Sequence, residues 1–425
     1  MRLSLPKILG IVAATALATL LGVNWFVDGK KKIRRVVPHE FAVADPQFKR
    51  AMGSLLGPAL VDGNRATTLL NGDQIFPEML AAIRGATRTI TFETYIYWSG
   101  RVGREFADAL SERARAGVKV HILIDWLGSQ KIEEALLEQM RSAGCEIHMY
   151  HALRWYNLDR INNRTHRKIL IADGKVGFTG GVGIADEWSG NAQDRDHWRD
   201  THYRVEGPVV AQMQAAFLDN WMKVSGATLQ GEAYFPPLES AGEMLAQVFR
   251  SSPQGGAESM ALMYLMSVAA ATHSIDLSMA YFVPDEIALE ALVAALRRGV
   301  RVRIIMPGEI TDAKPVRRAS RALWGPILEA GAELYEYQPT MYHCKVLVVD
   351  GLWVSVGSTN FDARSFRLND EANLNVYDAG FARRQVEDFE RDLARSRRIT
   401  LEEWRSRPWT EKVREKFFAI FRSQL

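Results

Sequence analysis

Cysteine is scarce: the 425-residue chain has two, Cys145 and Cys344, and no C-x-x-C pair. A disulfide framework and the common zinc-binding spacings are thereby excluded. No strong charge of either sign is present. The chain carries 53 Lys and Arg against 50 Asp and Glu, a formal net charge of +3. That is far short of the basic excess of a dedicated nucleic-acid-binding domain, so no nucleic-acid partner is expected. No low-complexity tract suggests extended disorder. At 47% hydrophobic, the chain can bury one large core or two ordinary ones, and two domains are the default.

One long apolar run is present. Ile8 to Val27 contains no charge between Lys7 and Asp28, long enough to cross a hydrocarbon core. Ala16-Leu17-Ala18 resembles a signal-peptide cleavage site, but apolar sequence continues beyond it through Trp25, Phe26 and Val27, which favours an N-terminal transmembrane helix over a cleaved signal. Lys30, Lys31, Lys32, Arg34 and Arg35 follow the run, against Arg2 and Lys7 before it. By the positive-inside rule a single-pass protein with a cytoplasmic body is expected.

The body repeats itself. Ala86-Thr87-Arg88-Thr89-Ile90 recurs as Ala271-Thr272-His273-Ser274-Ile275, Gly117-Val118-Lys119-Val120 as Gly299-Val300-Arg301-Val302, and Ala143-Gly144-Cys145-Glu146-Ile147 as Ala330-Gly331-Ala332-Glu333-Leu334. Helical patterns lie between the strand-like runs, from Arg104 to Ala116 and from Glu286 to Arg298. Each half reads strand, helix, strand, helix, strand, hairpin. The expected fold is α/β, two homologous halves, each a helix-flanked mixed β-sheet. The divisions are a membrane anchor and basic flank over 1–35, a connector over 36–60, halves over 61–230 and 231–400, and a tail over 401–425. Gly, Ser and Pro thicken between Gly226 and Gly256, where Glu243 to Arg250 reads as either a short helix or a strand.

Each half ends its repeat on the same pattern, H-x-K-x-x-x-x-D: His166-Arg-Lys168-Ile-Leu-Ile-Ala-Asp173 and His343-Cys-Lys345-Val-Leu-Val-Val-Asp350. Both patterns are β-branched and end in Asp-Gly, so each is expected in a strand that turns back on itself. Alternation then places each histidine on the same face as its lysine, an imidazole beside an ammonium, suited to a phosphodiester. The aspartates, at an odd offset, are expected to brace the hairpin. Cys344, between His343 and Lys345, is expected to pack.

These paired motifs, with Gly180-Gly181 after the first and Gly357-Ser358-x-Asn360 after the second, resemble the phospholipase D superfamily. Within it, Gly357-Ser-Thr-Asn-Phe-Asp362-x-Arg364-Ser365-Phe-x-Leu-Asn-x-Glu371-x-Asn373, Trp198-Arg-Asp200-Thr-His202 and Glu403-Trp404-Arg-x-Arg407-Pro408 are similar to the bacterial cardiolipin synthases. The likeness spans about Leu69 to Leu401. It implies an active site at the interface of the halves, with His166, Lys168, Asp173, His343, Lys345 and Asp350 as the catalytic motif set. Asn360, Ser358 and Gly181 are implied for substrate binding, with Asp200 and Glu371 supporting the histidines. No metal or other cofactor is implied. One departure is clear: Gly183 stands where the family pattern usually has asparagine, so either the turn's amides replace that donor or the two sides of the site are unequal.

The resemblance implies a phosphatidyltransferase of the bacterial inner membrane that forms cardiolipin from phosphatidylglycerol and a second phospholipid, such as phosphatidylethanolamine, through a phosphohistidine. His166 is taken as nucleophile and His343 as acid/base. A phospholipase D using water as acceptor would share every motif. A nuclease would need a basic groove, and a catalytically inert membrane scaffold would need damaged motifs. Oligomeric state is not legible. His197 and His202 stay unassigned, and Trp98, Trp126, Trp155, Tyr156 and Trp188 read as packing rather than an acyl passage. Trp409, Val413, Phe417 and Phe421 form one helical stripe that fits a lipid interface or a docked helix equally. Lys314, Arg317, Arg318 and Arg321 read as a solvated basic face.

Overall fold

The computed structural model describes residues 33–151, 163–252 and 259–424, and before them only Lys7, Gly10, Thr15 and Thr19. Almost all of the apolar run Ile8 to Val27 therefore lies outside the described residues, as do Trp155 and Tyr156. Among the described residues, no helix is long and apolar enough to cross a membrane.

The first half contributes β1 (Val61–Leu70), β2 (Thr89–Thr94), β3 (Lys119–Asp125), β4 (Glu146–Tyr150), β5 (Arg164–Thr165), β6 (Ile169–Ala172), β7 (Val176–Gly180) and β8 (Thr201–Glu206). The second contributes β9 (Met244–Ser251), β10 (Ser274–Met279), β11 (Phe282–Val283), β12 (Arg301–Pro307), β13 (Glu333–Tyr337), β14 (Lys345–Val349), β15 (Trp353–Gly357), β16 (Phe361–Asp362), β17 (Asn369–Tyr377) and β18 (Ser396–Ile399). Sheet order is 4-3-2-6-7-8-1 in the first half and 9-17-15-14-10-12-13-18 in the second, the two joined where β1 pairs antiparallel with β9. The ambiguous Glu243 to Arg250 run is thus largely strand. In each half three parallel strands meet an antiparallel motif hairpin, 4-3-2 against 6-7 and 13-12-10 against 14-15. Right-handed crossovers require helices on a sheet face. Helices Arg101–Arg115 and Glu286–Arg297 fill equivalent crossovers in the two halves.

Strand alternation decides which core each side chain joins. Leu170, Ala172 and Phe178 pack under the first half's outer helices, and Leu347, Val349 and Trp353 under the second's. Ile169, Ile171, Val346, Val348 and Val354 face the opposite way. They share a central core with Val210, Met213, Phe217 and Trp221 of helix Val210–Ser225 and with Phe381 of helix Ala379–Leu393. The shared core makes the halves one packed body.

Asp173 and Asp350 hold the hairpins to the sheets. Each sits at positive φ beside a positive-φ glycine, 54° and 65° at Asp173-Gly174 and 52° and 60° at Asp350-Gly351, as the central pair of a hairpin turn requires. The Asp173 carboxylate accepts from the amides of Thr87, Arg88 and Thr89, at 2.9, 2.7 and 2.9 Å. Asp350 accepts from Thr272, His273 and Ser274 at the same three distances. Burial raises the Asp173 carboxyl's pKa, but these amides outweigh it and hold the group below its ordinary value. Asp350→Ala strands three amides and should cost roughly 2–4 kcal/mol; denaturant unfolding checks this. Activity per folded molecule should change little.

The motif histidines lie just outside the strands in which they were expected. β6 begins at Ile169 and β14 at Lys345. The displacement has a cause: His166 donates its backbone N–H to Asp370 O at 2.9 Å, and His343 donates its own to Arg199 O at 2.8 Å. Each histidine is strung to the opposite half.

Candidate active site

Those two cross-half bonds position the chemistry. Asp370 precedes Glu371, and Arg199 precedes Asp200, so each histidine's backbone is tied beside the carboxylate that its ring uses. His166 Nδ1 lies 3.0 Å from both Glu371 oxygens. His343 Nδ1 lies 2.7 Å from Asp200 Oδ2. A carboxylate can only accept, so both rings carry a proton on Nδ1 and leave Nε2 free for chemistry. The second half therefore orients the first half's histidine, and the reverse.

Each lysine anchors on its own motif. Lys168 Nζ donates to His166 O at 2.8 Å, and Lys345 Nζ to His343 O at 2.6 Å. Lys345 Nζ also lies 3.2 Å from His343 Nε2. The expected imidazole–ammonium neighbours are present in both halves.

His166 and His343 line one cavity of about 620 Å³, together with Lys168 and Asn360. The Asn360 side-chain oxygen has no hydrogen-bond partner among the described residues. Aromatic rings form much of the wall. Tyr95 meets His166 edge-on at 5.3 Å, and Trp188, Trp198 and Tyr281 surround His343 at 5.3, 5.6 and 6.4 Å. Lys131 Nζ sits 3.7 Å over the Trp98 ring on the same wall.

The electrostatics follow from taking charges out of water. Burial lowers His166 to about 4, with Glu371 opposing and Lys168 adding to the fall. Burial and then Lys345 lower His343, against Asp200. Lys168 falls to about 7 through burial and then the Lys345 charge. Burial pushes Glu371 and Asp200 up, yet His166 and His343 respectively, with the nearby lysines, outweigh it and keep both carboxyls ionised. The resting site holds neutral imidazoles between carboxylates behind and ammonium groups beside them, a frame that an arriving monoanion completes.

A family model described as "Cardiolipin synthase, PLD-like domain" matches residues 79–221 and 264–393, one segment in each half. The chain belongs to the cardiolipin synthase family. It is thus an enzyme of the phospholipase D superfamily. Cardiolipin synthase 2 of Bacillus anthracis is 35% identical over 83% of this chain and 69% of its own length. The probable cardiolipin synthase YwiE of Bacillus subtilis is 36% identical over 83% and 71%. Among solved structures, phosphatidylserine synthase of Haemophilus influenzae has a TM-score of 0.69, covering 89% of this chain and 100% of that one at 15% identity. That last likeness is one of fold.

Several family-derived site residues sit apart from the cavity. Asp173 and Asp350, counted with the catalytic set, brace hairpins and do not line it. Ser358, expected at the substrate, is buried and donates its hydroxyl to Glu371, with Asn369 Nδ2 on the same carboxylate at 3.3 Å. It positions the carboxylate behind His166. Gly181, also expected at the substrate, spends its amide on Thr201 O at 3.1 Å. A Cβ there would overlap the Asp200 carboxylate, so glycine is required for Asp200 to reach His343. Gly181→Ala should displace Asp200 and lower kcat by about 10²-fold or more, with KM nearly unchanged; steady-state kinetics check it.

Gly183 has an equally local explanation. A Cβ there would lie 2.9 Å from Ile96 Cβ and 3.2 Å from the Trp188 ring. None of Gly180 to Gly183 lines the cavity, and the Gly181 amide is already committed to Thr201 O. The sides are unequal: the second half lines the cavity with Asn360, whereas Gly183 does not line it and the first half contributes Ile96, Trp98 and Trp188. Trp98 and Trp188 thus belong to the site rather than to packing alone, and Trp188 Nε1 also donates to Asp200 at 2.9 Å.

Other wall residues were assigned no role from sequence. Tyr95 and Tyr281 follow the carboxyl ends of the repeated strands β2 and β10, the signal that would have found them. Arg364 and Asp362 lie within the quoted family motif and line the cavity, Asp362 with its carboxyl raised to about 7 by burial against the pull of Arg364. Cys344 packs, its thiol buried and pushed up to about 12.

Proposed function

We propose that this enzyme moves a phosphatidyl group from one phospholipid to a hydroxyl of phosphatidylglycerol, forming cardiolipin and releasing the donor's small alcohol. The observation that carries the reading is the crossed pair of carboxylate–imidazole contacts at one cavity that also holds Lys168 and Asn360. His166 Nε2 attacks phosphorus, the P–O bond to the headgroup alcohol breaks, and His343, which takes up a second proton on Nε2 as the anionic donor enters and is held as an imidazolium by Asp200, gives that proton to the leaving oxygen. The acceptor hydroxyl then gives its proton to His343 as it attacks the phosphohistidine, and His166 leaves. Lys168, Lys345 and Asn360 take the charge that builds on the non-bridging oxygens. Phosphatidylethanolamine is a second candidate donor, with ethanolamine as its leaving group.

On the same reading, Ile8 to Val27 would anchor the chain in the bacterial inner membrane, and the basic residues from Lys30 to Arg35 favour a cytoplasmic body. The small net charge and the mixed sign of the charges lining the cavity, Lys131, Lys168 and Arg364 beside Glu187, Asp312 and Asp362, speak against a nucleic-acid backbone as substrate.

Purified full-length enzyme in phosphatidylglycerol vesicles should yield cardiolipin by lipid mass spectrometry. Phosphatidic acid alone would instead mean that water resolves the intermediate, making the enzyme a hydrolase.

The pH profile has a definite sign. His166 must be neutral to attack, so activity is lost as pH falls through about 4. Lys168 must be charged and His343 must carry its second proton, so activity is also lost as pH rises, through about 7 for Lys168 and, for His343, through a point that burial and Lys345 hold below its ordinary value. Because kcat/KM reports the free enzyme, a bell between those limits is expected with a soluble short-chain donor. Lys168→Met should weaken the alkaline limb.

A further inference from the structure

Helix Trp409–Ala419 is turned inside out relative to the usual surface helix. Its inward residue is Glu415, buried and held by Arg407 at 2.9 Å and Arg321 at 3.1 Å. Arg318 lies 5.4 Å over the Phe418 ring beside them. Of the basic cluster on helix Lys314–Ala322, read from sequence as a solvated face, Arg318 and Arg321 therefore hold the C-terminal helix, while Arg317 pairs with Glu336. With the polar side pinned inward, the apolar stripe points out: Trp409, Val413, Phe417 and Ile420 are 75%, 57%, 55% and 73% exposed. A docked helix that buries a carboxylate and exposes an aromatic stripe has an apolar partner elsewhere.

The position of this stripe says which partner. Beyond the helix the chain runs to Gln424, whose carbonyl accepts from Arg364 Nε at 3.0 Å and which, with Arg364, lines the active-site cavity. Leu127, another exposed apolar side chain, lines that cavity too. The chain that follows the stripe therefore reaches the cavity that Leu127 and Arg364 also line. Arg414 and Lys416 are exposed beside the stripe and make no ion pair among the described residues. Two such faces would repel one another, whereas an anionic lipid surface would attract both the charges and the rings.

We propose that helix Trp409–Ala419 is the surface through which the catalytic body lies on an anionic phospholipid bilayer, with the cavity mouth held at the headgroup level. This rests on the phosphatidyltransferase reading, since a substrate with two acyl chains must leave the bilayer at that mouth. The C-terminal helix thus acts as the body's own interfacial contact, distinct from the sequence before residue 33.

The test uses full-length enzyme in phosphatidylglycerol-containing vesicles. Native Cys145 and Cys344 are buried, so a spin label on Phe417→Cys reports one surface site, and one on the exposed Glu138→Cys serves as control. The label at 417 should be relaxed by lipid-dissolved oxygen and shielded from a water-soluble nickel chelate, with the opposite at 138. Nickel access at 417, or dipolar broadening from a second copy, would overturn the proposal. So would a label shielded from both agents, which means another protein segment covers the stripe. The combined Val413→Asp, Phe417→Asp and Ile420→Asp enzyme should lose about tenfold or more of its turnover on vesicles while staying within about twofold on dissolved short-chain phosphatidylglycerol. Equal losses on both substrates would mark the stripe as merely structural. The label needs no turnover, so a lipid-buried 417 in a chain that makes no cardiolipin would count against the phosphatidyltransferase reading alone.

Discussion

Alanine at His166 or at His343 should lower cardiolipin formation by about 10⁴-fold or more, because each removes a group for which the buried site has no substitute. The two losses should separate when the donor changes. A phosphatidyl ester of p-nitrophenol leaves as a stable phenolate and needs no proton, so His343→Ala should still release a burst of about one p-nitrophenol per site. His166→Ala should show no burst. The reverse pattern would exchange the roles of the histidines while leaving the two-step chemistry intact.

The second large effect comes from the crossed carboxylates. Asp200→Asn and Glu371→Gln keep shape but lose the charge that fixes each imidazole's tautomer, and each should lower kcat by roughly 10²–10⁴-fold, with KM little changed. The crossed contacts also separate the steps that each variant affects. Asp200 belongs to the first half yet serves His343, so Asp200→Asn should recover part of its loss on the p-nitrophenyl donor. Glu371 belongs to the second half yet serves His166, so Glu371→Gln should not recover. Recovery in the opposite sense would contradict the contacts that join the halves.

Much of this architecture is legible in the chain. The repeated runs at Ala86 and Ala271, the Asp-Gly ends of both motifs and the β-branched stretches between them are local signals, and local signals report strands and turns faithfully. Asp173 and Asp350 are readable as braces because an odd offset turns them from the histidine face. What a one-dimensional reading lacks is partnership between distant segments. It names Asp200 and Glu371 as supports without showing that each crosses to the other half, a consequence of the His166–Asp370 and His343–Arg199 backbone bonds. Family likeness assigns Gly181 and Ser358 to the substrate, whereas packing commits one to the approach of Asp200 and the other to Glu371. The terminal helix shows the same limit. Its stripe is plain in sequence, but which face turns outward depends on Glu415 finding Arg321 and Arg407.

Capture of the covalent intermediate tests the two-step chemistry most directly. Full-length His343→Ala enzyme should be mixed rapidly with the p-nitrophenyl donor, quenched in alkali and digested for peptide mass spectrometry. A phosphatidyl group on the imidazole of His166 is the expected result. A burst of p-nitrophenol with no modified histidine, or with the adduct on another residue, would contradict His166 as the nucleophile and the phosphohistidine as the intermediate.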